Sequence, residues 1–245
     1  MSGISLDSGD GGSFAVPVYE GYGLNYASTY SDVSGTDLTN CLSRLMMKRQ
    51  NDTRNKCNSA EFENYKTMKN YFCKVALDYD VEMEKFKKGN FDEKRYELPD
   101  GTVIRVRSEQ IAVGEALFRP QLVNLENSDD DESYLPGDLG LQNILYNSFM
   151  MTNSSIRRDL LQNVVLSGGN AMLPGIKERL RKEMWSLIDP AINLSNFIQS
   201  NSSPVYASWM GGAVLSSLSS FQDMTITKSE YDENGPSIVH RKCFM

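Results

Sequence analysis

The chain has 245 residues, 40% hydrophobic and 23% charged. That is an ordinary globular composition, with apolar material for one or two packed domains. Its formal net charge is −7, which argues against a nucleic-acid partner, because phosphate backbones are bound by a basic face. The local basic clusters Lys85, Lys87, Lys88 and Arg179, Arg181, Lys182 read as solvated surface.

Four cysteines, Cys41, Cys57, Cys73 and Cys243, include no CxxC pair, so the spacing encodes neither a zinc ligand set nor a disulfide framework. His240 is the single histidine and lies three residues from Cys243, a poor position for a nucleophile–His triad. The opening MSGISLDSGD has no basic region followed by an apolar run, and no stretch approaches the ~20 apolar residues of a membrane span. The expectation is a soluble, cytoplasmic protein with no membrane partner.

In chain order, Ile4–Leu6 and Ser13–Tyr19 are two short strand-like runs around the turn Asp7-Ser8-Gly9-Asp10-Gly11-Gly12, which predicts a β-hairpin. Pro17 implies an irregularity or an edge position. Asp37-Leu38-Thr39 opens a helix with Asp37 or Thr36 as cap and Leu38, Cys41, Leu42, Leu45 and Met46 at helical spacing. The polar run from Gln50 to Ser59 reads as a loop. A second helix starts near Ser59, where no full capping box is visible, and its apolar run continues through Tyr65, Met68, Phe72 and Val75.

Asp100-Gly101, between Tyr96-Glu97-Leu98 and Val103–Val106, predicts a second hairpin. Asp129-Asp130-Asp131-Glu132, bordered by Pro136-Gly137, cannot enter a core and is expected in an exposed loop. Leu141–Met151 returns to helical spacing. Asn163–Leu166 reads as a buried strand ending in Ser167-Gly168-Gly169-Asn170, and a helix follows from near Pro174 with Ile176, Leu180, Met184 and Leu187 on one face. Trp209–Leu218 is small and apolar, and a short helix lies around Ser229-Glu230-Tyr231. Strands and helices alternate irregularly, which favours a mixed α/β architecture.

Two segments carry candidate chemistry. In Asp7–Gly12, glycines let the backbone approach a bulky anion, and successive amides can form an anion-binding concavity. A carboxylate there is tolerable beside phosphate if a divalent cation lies between, which suits Asp7 as a holder of metal-bound water. Asp10 suits ribose hydroxyls. An ordinary hairpin turn explains the same six residues. In Leu166–Gly175, a strand, a Gly-Gly turn and a helix offer close backbone approach. Without the P-loop Lys-Ser/Thr, a tight strand-to-helix connection explains it as well.

Together with their neighbours these segments resemble the actin family over essentially the full length. The resemblance runs through Asp7–Gly11, Val16-Pro17-Val18-Tyr19-Glu20-Gly21-Tyr22, Gly35 with Asp37-Leu38-Thr39, Val75-Ala76-Leu77-Asp78, and Tyr96-Glu97-Leu98-Pro99-Asp100-Gly101. It continues through Glu115-Ala116-Leu117-Phe118, Val165-Leu166-Ser167-Gly168-Gly169, Trp209 with Gly211-Gly212, Glu230-Tyr231-Asp232-Glu233 and Gly235-Pro236-Ser237-Ile238-Val239-His240-Arg241-Lys242-Cys243-Phe244.

The resemblance implies an α/β, actin-like fold of the ribonuclease H-like superfamily that also holds sugar kinases and heat-shock ATPases. Residues 1–33 and 126–205 would form the inner part of the large lobe, 34–125 its outer part, and 206–245 a C-terminal piece of the small lobe. The family's first phosphate hairpin and the rest of the small lobe have no counterpart in this sequence, which is therefore expected to be a truncated form. ATP or ADP with Mg2+ is the implied cofactor. Asp7 would act on the metal through water, Ser8, Gly9, Gly11 and Gly12 on the phosphates, Asp10 on the ribose, and Gly35, Lys66, Lys69, Gly168, Gly169 and Met172 on the adenosine.

Four departures accompany these matches. Phe14 stands where the family has a histidine that orders the attacking water, Asn70 where it has a glutamate on the ribose, Leu173 for a tyrosine over the adenine, and Val205 for a lysine. Hydrolysis by this chain alone is not expected. Met210, Val214, Leu215, Leu218 and Met224, with Gly21 and Tyr22 at the rim, correspond to the family's partner cleft, where an amphipathic helix would dock. Helix core explains the same apolar residues. The implied partners are other actin-family subunits or actin-binding regulators, in the cytoskeleton. The acidic segment from Asn127 to Gly140 is longer than its family counterpart, a filament-contact loop, and altered assembly is expected from its charge. Two alternatives stay open, an active ATPase of the superfamily and a silent truncated fragment.

Overall fold

The computed structural model describes residues 2–51, 54, 57–90, 93–98, 100–123, 139–188, 198–200 and 203–243. The first hairpin forms as its sequence predicts, from β1 (Gly3–Ser8) and β2 (Ser13–Tyr19), with Ser8 opposite Ser13. Strands β3 (Tyr22–Gly23) and β4 (Thr29–Ser31) both return along the outer side of β2. They pair with residues 18–19 and 13–15, and leave a gap at 16–17. Pro17, which has no N–H to donate, sits at that gap, so β2 is an inner strand with a local irregularity rather than an edge.

Helix α1 (Gly35–Arg49) starts two residues before its expected opening. Its cap is Ser34, not Thr36 or Asp37: the Ser34 N–H and Oγ both donate to the Asp37 carboxylate, at 2.9 and 2.6 Å. Asp37 is thus the acid of a capping box. In α2 (Ser59–Phe72) the box lies one residue earlier than Ser59: Asn58 accepts from the Glu61 N–H, and the Glu61 carboxylate accepts from the Asn58 N–H. The helix ends at Phe72, so Val75 belongs to an extended connection, where its N–H donates to Pro174 O. Helix α3 (Tyr79–Lys87) follows, then β5 (Lys94–Glu97) and β6 (Val103–Val106), antiparallel as Asp100-Gly101 predicts, and α4 (Glu109–Glu115).

The acidic run 129–132 and most of the segment around it lie outside the described residues. After it come α5 (Leu141–Met151), α6 (Arg157–Leu161), β7 (Val164–Ser167), α7 (Ile176–Leu187) and β8 (Ile198–Ser200). Helix α7 buries Ile176, Leu180 and Met184, but Leu187 stands exposed at its end. The chain closes with α8 (Ala207–Ser216), α9 (Phe221–Met224), α10 (Lys228–Asn234) and α11 (Val239–Lys242). No helix among the described residues is long and apolar enough to cross a membrane.

The main sheet has the order β3-β2-β1-β7-β8, with β4 also beside β2. Its centre is mixed: β1 is antiparallel to β2 and parallel to β7, and β8 is parallel to β7. Period-two alternation puts Ile4, Leu6, Ala15, Val164 and Leu166 on a buried face, against which α5 and α6 pack. The core runs on without a break into α1, α2 and α4.

One buried ion pair fixes α7 relative to α4. Arg179 holds Glu115 with two hydrogen bonds, at 2.7 and 2.9 Å, and also donates to Ala76 O at 2.9 Å. The Glu115 side chain has no solvent exposure, and Arg119 reaches it as well at 3.1 Å. A bidentate guanidinium–carboxylate pair is among the stronger charge contacts. Removing Glu115 leaves the buried Arg179 guanidinium with Glu183, at 2.6 Å, as its remaining carboxylate, at a cost of about 3 kcal/mol, the lower end for a broken buried pair. Glu115→Ala is therefore expected to lower stability by about that amount in urea unfolding, whereas breaking the exposed Lys88–Glu84 pair with Glu84→Ala should change it by less than about 1 kcal/mol.

Candidate functional site

Parallel pairing of β1 with β7 sets Asp7 beside Ser167, so the turns that leave both strands emerge at the same end of the sheet. The Ser167 hydroxyl donates to Asp7 Oδ1 at 2.7 Å. The backbones of the two turns touch: Gly168 has φ +90°, and a Cβ built on it would lie 2.2 Å from Ser8 O. Only glycine tolerates both conditions. The Gly168 N–H turns the other way and donates to Pro204 O at 3.0 Å, which brings residues 204–206 against the short helical turn 170–172. Val205 and Met172, both exposed, flank this side of the Gly-Gly turn.

The start of α1 closes against the first turn. The Gly35 N–H donates to Gly9 O at 2.9 Å and the Thr36 N–H to Asp10 O at 3.1 Å. Two amides that a helix start leaves unpaired are thus satisfied by turn carbonyls. In a trans peptide the C=O and the following N–H point in opposite directions. With the Gly9 and Asp10 carbonyls drawn toward α1, the Asp10 and Gly11 N–H groups face away from it. Neither these nor the Gly12 N–H donates to any described group. Amides in succession without protein acceptors form a concavity suited to an anion, and the N-terminus of the 15-residue helix α1 lies behind them with its positive dipole end.

Two lysines of α2 lie beside the first turn. Lys69 is 4% exposed, and its ammonium donates to Gly35 O at 2.7 Å. Burial lowers its pKa, and the nearby Asp10 carboxylate opposes that shift. Lys66 lies 3.9 Å from Asp10 Oδ2. Asp10 Oδ1 stands 2.8 Å from the position of a Cβ on Gly35, so Gly35 also marks a close approach. Asp7, Ser8, Gly9, Asp10, Gly11, Gly12, Gly35, Lys66, Lys69, Gly168 and Gly169 therefore converge on one site, with Met172 in the same turn as Gly169.

Three further residues belong to the site and carry no sequence signal of their own. Asn170 donates to Ser8 Oγ at 3.1 Å and to Gly9 O at 2.9 Å. The Ser8 and Ser13 hydroxyls are 2.8 Å apart, and Ser13 donates to Val33 O at 3.2 Å. Because Asn170 can only donate at one end and Val33 O can only accept at the other, Ser8 must donate to Ser13. This chain lies behind the turn, and buried hydroxyls of this kind are indistinguishable in sequence from surface serines.

Among the described residues, the side chain nearest Gly12 is a phenyl ring rather than a general base. Phe14 is opposite Asp7 on β2 and Tyr30 opposite Phe14 on β4, and the Phe14 ring, 50% exposed, covers Gly12 from the side. Burial pushes the Cys73 thiol up to about 12, so it stays protonated and is no nucleophile. Among the described residues no group of three or more His, Cys, Asp or Glu side chains is placed to hold a metal ion. A cation here would take most of its ligands from phosphate and water, and one carboxylate, Asp7, whose Oδ2 has no hydrogen-bond donor among the described residues, fits the role of holding such a water.

The other expected site is arranged differently. Gly21 and Tyr22 lie at the far end of β2 from the glycine-rich turn. Met210, Val214, Leu215, Leu218 and Met224 lie on or beside α8 and α9, and all are exposed. Helix α8 buries none of its residues, so these side chains are not helix core in this chain. Trp209 is 74% exposed on the same helix.

A Cβ at position 168 would both force a positive φ on an L side chain and push the two turns apart. Gly168→Ala is expected to cost on the order of 1–3 kcal/mol, read as a lowered urea midpoint, while Gly169→Ala, which meets nothing within 4 Å, should stay within about 1 kcal/mol of the unsubstituted chain.

A comparison with protein-family models matches residues 1–244 to the family described as Actin.

Proposed function

Because the chain belongs to the actin family, we propose that it is an actin-like cytoskeletal or scaffolding protein whose glycine-rich turns form one wall of a cleft for ATP or ADP with Mg2+. The observation that carries this is the run of three amides, Asp10 to Gly12, with no acceptor among the described residues, beside a second glycine turn in backbone contact with the first. Anion recognition by a backbone concavity needs this geometry and no particular side chain.

In this assignment the Asp10–Gly12 amides take phosphate oxygens, Asp7 holds water on the magnesium ion, and the ion neutralises phosphate charge next to the two aspartates. Lys66 and Lys69 add positive charge from the α2 side. Asp10 faces the ribose. Gly168, Gly169 and Met172 take the adenosine, and Val205, exposed beside them, puts an apolar side chain where the family has a lysine. In the same assignment the described parts of 1–33 and 126–205 would belong to the inner part of the large lobe, those of 34–125 to its outer part, and those of 206–245 to the small lobe.

Hydrolysis is impaired in this proposal. Phosphoryl transfer to water depends on a group that orients the water, and at the position nearest Gly12 this chain offers the phenyl ring of Phe14. Binding without rapid turnover suits a structural subunit better than an ATPase.

The protein should show a cooperative melt whose midpoint rises with Mg·ATP or Mg·ADP. At ligand a hundredfold above its Kd the stabilisation is about 2.7 kcal/mol, or roughly 5–10 °C for a chain of this size. A cooperative melt with no shift contradicts nucleotide binding and leaves a purely structural role. Loss of a cooperative melt favours a silent fragment.

A second surface supports a partner reading. We propose that the apolar face of α8 and α9 receives an amphipathic helix of an actin-binding regulator or another actin-family subunit. Support comes from an apolar ten-residue helix with no buried residue; contiguous exposed apolar surface commonly marks an interaction site. Val214→Asp together with Leu215→Asp is expected to lower the fluorescence of an apolar dye bound to the protein several-fold, with the melting midpoint nearly unchanged, because both side chains are already solvated. Undiminished dye binding would place the apolar surface elsewhere.

A further inference from the structure

We infer that Asn170 is a positioning residue for phosphate: its amide locks the Gly9–Asp10 peptide so that the Asp10 N–H faces the anion. The inference rests on the nucleotide-cleft reading and adds a residue to it.

Asn170 begins the helical turn after Gly168-Gly169 and is 4% exposed. Its side chain crosses to the other turn, over 160 residues away in sequence, and both contacts come from Nδ2. Gly9 O can only accept, so the amide orientation is fixed chemically. Gly9 O then carries two donors, the Gly35 N–H at 2.9 Å and the Asn170 amide at 2.9 Å. A carbonyl with both lone pairs engaged cannot rotate without losing two hydrogen bonds in a partly buried place, and leaving such groups unmade is costly. The N–H on the same peptide, that of Asp10, is thereby held in the opposite direction.

The second bond, to Ser8 Oγ, starts the donor chain through Ser13 to Val33 O. One side chain therefore ties the adenosine-side turn to the phosphate-side turn and to the connection that leads into α1. A pre-aimed donor spends no binding energy on reorganisation, which is how preorganised amides gain affinity. Asn170 itself does not touch ligand in this arrangement.

A purely structural asparagine and a phosphate-positioning one differ in what their loss affects. Losing Asn170 as a brace of the whole cleft would weaken adenosine and Mg·ATP alike. Losing the aim of one amide weakens only the ligand that carries phosphate.

The test compares Mg·ATP and adenosine binding to the full chain by NMR titration, for the unsubstituted protein, Asn170→Ala and Asn170→Asp. Asn170→Ala is expected to weaken Mg·ATP about tenfold, the worth of one hydrogen bond of this kind, and to change adenosine less than twofold. Asn170→Asp replaces the donors with a charge facing Gly9 O and should weaken Mg·ATP further. If Asn170→Ala does not fold, Asn170→Ser, which keeps one donor, takes its place with a smaller Mg·ATP-selective loss expected. Equal losses for both ligands, or none for Mg·ATP, overturn the inference alone. Binding of neither ligand to the unsubstituted protein overturns the cleft reading and this inference with it.

Discussion

The parallel pairing of β1 with β7 is the constraint from which the site follows. Residues 4–7 and 164–167 are far apart in sequence and run side by side in the sheet. Both strands end at the same level, so the turns after Ser8 and Ser167 meet. The meeting is close enough that only a residue without a side chain fits at Gly168. A shift of one residue in this register would move every side chain of β1 to the opposite face, exposing Ile4 and Leu6 and burying Asp7. The apolar alternation of β1 and the meeting of the two turns are therefore one requirement.

Helix α1 adds direction. Its first two amides take the Gly9 and Asp10 carbonyls, and the peptide groups of the turn are oriented by that contact. The capping box of Ser34 and Asp37 starts the helix early enough for Gly35 and Thr36 to reach the turn. Had the helix opened at Asp37, those two donors would not stand in series at its end. Lys69, a buried cation on α2 that donates to Gly35 O, joins a third element to the same point. Farther out, the Glu115–Arg179 pair holds α7, the helix that follows the Gly-Gly turn, against α4. The turn is thus fixed on the side of the sheet and on the side of the helices.

Much of this was legible in the sequence, for identifiable reasons. The two hairpins announce themselves through Asp-Gly turns between alternating runs, and α5 and α7 through their apolar spacing. The family resemblance, confirmed over residues 1–244, named most of the candidate site residues, and the structure brings those on the two turns, α1 and α2 together. Caps were less legible. Ser34 and Asn58 are short polar residues in polar surroundings, and their partners Asp37 and Glu61 look like surface acids until the backbone is placed. The buried chain Asn170–Ser8–Ser13–Val33 was not legible, because its first bond joins residues 162 positions apart and the other two run between hydroxyls and a carbonyl that carry no pattern. The apolar helix α8 could be read as core or as a partner surface, and only the packing around it, which leaves it exposed, separates the two.

The account stands on the amides of the first turn receiving the phosphates while the second turn receives the base. A titration of the isotope-labelled protein with Mg·ADP, followed by amide chemical shifts, observes both at once. The expected result is that the Asp10, Gly11 and Gly12 amides move downfield together with perturbation of Gly168 and Gly169, at one common affinity, while the amides of α8 stay in place. Saturable shifts confined to α8, or shifts in one turn without the other, would contradict it.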